Sequence, residues 1–456
     1  MKKAFTLVFT ALILSTFCLT SCSKDDNKNS EPTQSNGKAH YTVMVYGTVG
    51  GQMDYILEDT WEKLKPLLTD STNVRMVFLY KYGRAADFSG HYADPGDVVF
   101  FELNSQTDFN KLREKAVNNP NFLLYKPESL AGFIDTCKAL CPADNYIFLT
   151  YGHGGAFDIT NDYPDIPVTK GILYDEQVGG RGMSMYELAD GLAAADIDRF
   201  KCIFLHNCLL GNIENLTQMQ PYADYFYACA HVLASDGTVI VEFIKALLNK
   251  SNSDFEQVSN QLFDAITPFY SNLNETEDEP LEQNLDMKII RSSYISTLNN
   301  SLNQLRERLI ALYPTKKEEI DLAADQIYRY DTGFPYLIDI ETYAKHLAHA
   351  TEDPTIEAIS NDIHNTFENM FVRNLANNYA DAYLDNYTLS IVFGHNSFYN
   401  CSVHGHTVAS SYAPSVFNNL THWGDWLNTN TYWPTTTTAN TGIAEISWEG
   451  YKTRLH

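Results

Sequence analysis

The residues "IFLTYGHGGAF", 147–157, are an apolar run that stops abruptly at a histidine set among glycines. A run that stays apolar without alternating is the pattern of a strand buried on both faces. It delivers one imidazole, His153, to a turn whose glycines allow close backbone approach. A second stretch, "CIFLHNCLLGNIE", 202–214, repeats the design and delivers Cys208. Working outward, "TVMVY" (42–46), "VRMVFLYKYG" (74–83), "DVVFFEL" (97–103) and "DYFYACAHVL" (224–233) read as further strands. Between them, "PESLAGFIDTCKALCPAD" reads as a helix, as does "SMYELADGLAAADI" with Ser184 as N-cap and Glu187 three residues on. Unalternating strands separated by helices predict an α/β fold with a mostly parallel central sheet. Reactive groups in such sheets sit beyond the carboxyl ends of the strands, where both His153 and Cys208 fall.

From about Asn249 the texture changes to several helices, interrupted by the acidic "NETEDEPLEQ". The stretch "YTLSIVFG" (387–394) then returns as a strand. A formal charge of -25 excludes nucleic acid as a partner, because phosphate binding needs clustered Lys and Arg. The opening "MKKAFTLVFTALILSTFCLTSC" has two lysines, an apolar run too short to span a bilayer, and small residues at its end. "LTSC" looks like a bacterial lipobox, which makes Cys22 the lipidated first residue of the mature chain and the membrane contact. The polar residues that follow read as a tether, and their serine and acids resemble a surface-export signal. These features place the protein in the cell envelope, lipid-anchored to a bacterial outer membrane and exposed at the surface. Cys137, Cys141, Cys202, Cys208, Cys229 and Cys401 remain beyond the signal; no CxxC pair occurs, and no disulfide framework or structural zinc site is expected.

A thiol attacks an acyl carbon as thiolate and needs a neighbouring proton acceptor, for which histidine has the right pKa. The oxyanion of the tetrahedral intermediate needs backbone N–H donors. Those of Gly154 and Cys208 are the candidates. A helix starting behind Cys208 would favour the thiolate further.

The arrangement resembles the clostripain-like cysteine peptidases, relatives of caspases, legumains and gingipains. The likeness is carried by "TVMVYGTVGGQMD", "YGHGGAF", "CIFLHNCLLGNIE", "YADYFYACAHVLASDG", "YLIDIETYAKHLA", "YTLSIVFG" and "HWGDWL", in that order from Thr42 to Leu427. It implies a caspase-like α/β/α sandwich with a mainly helical C-terminal region. It also implies an endopeptidase with a Cys208–His153 dyad and an acyl-enzyme intermediate, acting on protein or peptide substrates. The expected organisation is a signal peptide over 1–22, a tether over 23–39, a catalytic core over 40–248, a helical region with a returning strand over 249–430, and a tail over 431–456. Where the family commonly has Asp-Ala-Cys, this chain has His206-Asn207-Cys208. That aspartate binds a basic substrate side chain, and a histidine supplies no fixed negative charge. Asp236 falls where relatives carry a second pocket acid and would keep some basic preference; His206 could equally shape a pocket for an acidic or polar side chain. Self-cleavage, common in the family, would fall after Lys170 or Arg181. Calcium dependence occurs in part of the family, yet Asp158, Asp162, Asp165 and Asp175 match no compact calcium motif. No cofactor is therefore expected. His404 and His406 in "CSVHGH" lack an evident third metal ligand. The competing reading is a non-catalytic binding lipoprotein that retains the peptidase fold.

Overall fold

The apolar runs fold as strands, and their register decides which faces are covered. A computed structural model of the chain describes residues 38–49, 52–70, 72–82, 97–119, 122–155, 172–175, 181–231, 233, 237–272, 286–325, 327, 336–376, 388–400, 402–403 and 406–432. Two compact units interleave along the sequence. One comprises residues 1–153, 171–207 and 234–266, the other 154–170, 208–233 and 267–456.

In the first unit lie β1 (Ala39–Val49), β2 (Val74–Tyr82), β3 (Asp97–Leu103), β4 (Val117–Asn118), β5 (Ala143–Tyr151), β6 (Ile172–Asp175), β7 (Arg181–Met183) and β8 (Phe200–His206). Its main sheet has the order β8-β5-β1-β2-β3-β4. The strands β8, β5, β1 and β2 are parallel, whereas β3 and β4 turn antiparallel at the edge. A run such as "DVVFFEL" reads the same in either direction, so its orientation was not encoded in the pattern.

Period-two alternation then assigns the two faces. In register, Val45 stands beside Phe78 and Phe78 opposite Phe101, while Tyr46 stands beside Leu79 and Leu79 opposite Phe100. Trp61, on the helix Gln52–Leu64, packs on Phe78 and Phe101 at ring separations of 5.1 and 5.3 Å. Phe133, on the helix Pro127–Leu140, packs on Tyr46 and Phe100 at 5.2 and 6.2 Å. The two helices therefore cover opposite faces. Phe243 of the helix Thr238–Leu248 meets Phe204 of β8 on the Trp61 face, and the helix Met185–Ala194 packs beside Pro127–Leu140 on the other. The result is an α/β/α arrangement around buried parallel strands.

The second unit holds β9 (Ala223–Ala228), β10 (Asp286–Arg291), β11 (Leu337–Asp339), β12 (Phe371–Ala376) and β13 (Ser390–Val392). Strand β10 is antiparallel to both β9 and β12, and β11 pairs antiparallel with β13. The helices Ile295–Leu312, Ile340–Thr351 and Pro354–Met370 pack together. Asp339 caps the second of these by accepting from the Thr342 N–H, and Asp353 caps the third while pairing with Arg308. The region after Asn249 is thus helical as expected, but it also contains β10, β11 and β12. Runs this short establish no periodicity, and β12 follows its helix without a break.

The capping box expected at Ser184 is present. Its hydroxyl accepts from the Glu187 N–H at 2.9 Å, and the Glu187 carboxylate accepts from the Ser184 N–H at 3.0 Å. Ser184→Ala should cost about 1 kcal/mol, read as lost hydrogen-exchange protection in the first turn of Met185–Ala194.

Candidate active site

In the first unit, β5 and β8 end level, with Tyr151 beside His206. Beyond Tyr151 the chain turns at Gly152, whose φ of 141° lies where side chains are strained. His153 follows and is exposed. Alternation sends His206, the last residue of β8, and Asn207, the next one, to opposite faces. His206 turns to the Phe204 side, stacks on the Tyr151 ring at 4.9 Å, and is only 3% exposed. Burial pushes its pKa down to about 4, so the ring is neutral at ordinary pH. Asn207 turns to the Thr150 side and is buried. Its Oδ1 accepts from the Thr150 hydroxyl at 2.5 Å, and its Nδ2 donates to the carbonyl oxygens of Gly152 at 2.9 Å and His153 at 3.0 Å.

In the second unit, Cys208 is a half-buried free thiol whose Sγ accepts from the Leu233 N–H at 3.4 Å. The next residue, Leu209, has a left-handed φ of 62°, a backbone strain carried only where surrounding structure enforces it. That structure is visible. The Leu209 N–H donates to the His231 carbonyl at 2.8 Å and the Gly211 N–H to the Cys229 carbonyl at 2.6 Å. A Cβ on Gly211 would lie 2.7 Å from the Cys229 carbonyl carbon, so this approach requires glycine. The 229–231 backbone is itself anchored: the Asp286 carboxylate accepts from the N–H groups of Ala230 (3.1 Å) and His231 (2.7 Å). Asp286 also pairs with Lys288, and both side chains are fully buried.

The helix expected directly behind Cys208 starts later. It spans Ile213–Met219, with Asn212 as the cap accepting from the Asn215 N–H at 2.9 Å. Residues 208–211 form the pinned turn instead. On its far side the turn meets β13, where the Ser390 N–H donates to the Gly211 carbonyl at 3.1 Å. Glu214, fully buried, accepts from the Val392 N–H and the Tyr412 hydroxyl, both at 2.9 Å.

The other sequence candidates are placed less completely. Gly154 follows His153 and is half-buried. Arg181 and Asp175 face each other in the β6–β7 pair, so cleavage after Arg181 would require that pair to open. His406 begins the short strand His406–Thr407. Cys22, Lys170, Asp158, Asp162, Asp165, Asp236, Cys401 and His404 lie outside the described residues. Among the described residues no group of three or more His, Cys, Asp or Glu could hold a metal ion, and no helix is long and apolar enough to cross a membrane. A cavity of about 250 Å³ lined by His40, Tyr41, Asn73 and Lys250 lies at the amino ends of β1 and β2, the opposite end of the sheet from His153.

Asn207, Asp286 and Glu214 were not singled out from the sequence. A signal existed for Asp286 and Lys288, which alternate with apolar residues and so share one strand face. For Asn207 the signal was a polar residue one step past a buried strand.

Comparison with known proteins gives a consistent picture. The family model described as the Clostripain family matches residues 99–446. The chain is 24% identical over 267 residues to clostripain of Hathewaya histolytica, covering 51% of this chain and 48% of that protein. It therefore spans about half the length of that curated relative. A secreted C11 cysteine protease from Bacteroides thetaiotaomicron, solved with an irreversible peptide inhibitor, has a TM-score of 0.56 at 15% identity, over 85% of this chain and 100% of that one. An inactive zymogen C11 protease from Parabacteroides distasonis has a TM-score of 0.52 at 12% identity, over 84% and 98%. At these identities the likeness establishes the fold, which is the caspase-like fold of C11 proteases.

Glu214 offers a test of the pinned turn. Burial raises its carboxyl to about 7, against the lowering effect of its hydrogen bonds. The folded state thus holds a proton that the unfolded chain releases from about pH 4.5 upward, so this group's stabilisation is full below that pH and is lost as pH rises to about 7. Unfolding free energies of wild type and Glu214→Gln, measured across that window, should diverge by about 3 kcal/mol in total, with the variant showing the flatter profile. Parallel profiles would mean that Glu214 is ionised in the native state.

Proposed function

Since this chain belongs to the clostripain family of cysteine peptidases, we propose that it is an endopeptidase acting outside the cytoplasm on protein or peptide substrates. Its nucleophile is Cys208 and its proton carrier is His153. One observation carries this reading: among the described cysteines, Cys208 alone reaches solvent. Cys137, Cys141, Cys202 and Cys229 are fully buried, and burial pushes the Cys137, Cys141 and Cys229 thiols far up, away from thiolate formation.

His153 takes the Cys208 proton as Sγ bonds to the scissile carbonyl carbon. The oxyanion is held by the N–H groups of Cys208 and Gly154. As the C–N bond breaks, the imidazolium returns the proton to the departing amine, leaving a thioester on Cys208. Water then attacks with its proton passing to His153, the C–S bond breaks, and the thiol is restored as the carboxylic product leaves.

The chain is held to the membrane by lipid on Cys22, the cysteine of "LTSC". Where a basic preference is kept, maturation proceeds by cleavage after Lys170 or Arg181. His206, buried and neutral, supplies no charge for a basic substrate side chain, so a basic preference would fall to Asp236.

Purified mature protein should cut a mixed peptide library and be alkylated at Cys208 by a peptide electrophile, and Cys208→Ala should abolish both. Cleavage after Arg or Lys assigns preference to Asp236; cleavage after acidic or polar side chains rules that assignment out, and His206, buried against Tyr151 and Phe204, is not placed to meet substrate. A wild-type protein that folds but cuts no peptide and leaves Cys208 unlabelled would support the binding lipoprotein instead.

A further inference from the structure

We propose that Asn207 is a positioning residue for His153, a role that rests on the peptidase reading above. The contacts lie within the first unit. His153 is exposed, and the direction in which its imidazole leaves the chain depends on how its own backbone is held. That backbone has left the β5 ladder, which ends at Tyr151, and turns at a glycine with a left-handed φ. Two successive carbonyls, those of Gly152 and His153, need donors there, and Gly152 is buried. The Asn207 amide satisfies both with its two N–H bonds, at 2.9 and 3.0 Å. Its own orientation is fixed in turn, because the Thr150 hydroxyl donates to Oδ1 and so settles which end of the amide faces the turn. The side chain is 1% exposed, so water does not compete for these bonds.

The residue bonded directly to Cys208 also holds the His153 turn. A general base in acyl transfer must sit within hydrogen-bond reach of the proton it takes, and a displacement of about 1 Å can cost about 100-fold in rate. Asn207 therefore acts on the reaction through His153 and touches no reacting atom.

The test compares wild type with Asn207→Leu, which keeps the size and removes every hydrogen bond, and Thr150→Val, which removes only the hydroxyl that orients the amide. Three quantities are measured: kcat and KM on one peptide taken from the library, the rate of Cys208 alkylation by iodoacetamide from about pH 5 to 9, and the melting temperature. Asn207→Leu should lower kcat by about 10- to 100-fold with KM nearly unchanged. Its alkylation profile should move up by about one pH unit, because a misplaced imidazole no longer stabilises the thiolate. Thr150→Val should shift both in the same direction by less. A folded Asn207→Leu with wild-type kcat and alkylation profile overturns the proposal. So does a variant whose lower activity follows only its lower melting temperature, with the pH profile unmoved. If Asn207→Leu fails to fold, Thr150→Val decides: an unchanged kcat and profile overturns the role. A wild type that neither cleaves peptide nor reacts at Cys208 overturns the peptidase reading itself, a result distinct from an active wild type with an indifferent variant.

Discussion

The pairing of β5 with β8 is the constraint on which the candidate site depends. From Ile147 in β5 and Cys202 in β8 to their carboxyl ends both strands are buried on both faces, so their register is fixed by core packing rather than by a loop. With Tyr151 held beside His206, one strand ends where the other ends. Parity then does the rest: His206 joins the aromatic layer under the helix Thr238–Leu248, and Asn207 reaches the turn that presents His153. A slip of one residue would exchange those faces. It would place an amide among Phe204, Tyr151 and Phe243, and would leave the Gly152 and His153 carbonyls without their donor.

The second unit solves a comparable problem with charge. The strained turn after Cys208 needs its neighbouring backbone immobilised, and the segment 229–231 is held by a carboxylate rather than by a continuous ladder. Asp286 is costly to bury, and Lys288 makes that burial tolerable. Removing either partner of such a pair typically costs about 3–5 kcal/mol, since the other charge is left uncompensated. Glu214 completes the surroundings from the opposite side by joining the helix Ile213–Met219 to β13 and to Tyr412. It remains compatible with burial because, near neutral pH and below, it carries a proton. The turn is thus bounded by polar groups whose partners are far away in sequence, which ties its shape to the integrity of the whole unit.

The pair His206-Asn207 is accommodated by its local surroundings. A buried aspartate would require a cation or several donors, whereas a neutral imidazole stacked on tyrosine requires neither. The adjacent amide holds the Gly152 and His153 carbonyls. The two side chains face opposite sides of the sheet.

The sequence by itself determined the strands β1, β2, β3, β5, β8, β9 and β13, most of the helices, the Ser184 capping box and the position of His153 and Cys208 just past buried apolar runs. Those features are local: periodicity, caps and glycine turns act over a few residues and leave their mark in composition. Tertiary structure decided the antiparallel direction of β3 and the existence of β10, β11 and β12. It also set the late start of the helix after Cys208 and the roles of Asn207, Asp286 and Glu214. Each of these depends on a partner distant in the chain, as Asp286 does on the backbone of Ala230 and His231. A hydrogen bond or strand pairing is a property of two positions at once, and a single stretch of residues carries no record of the partner that folding brings to it.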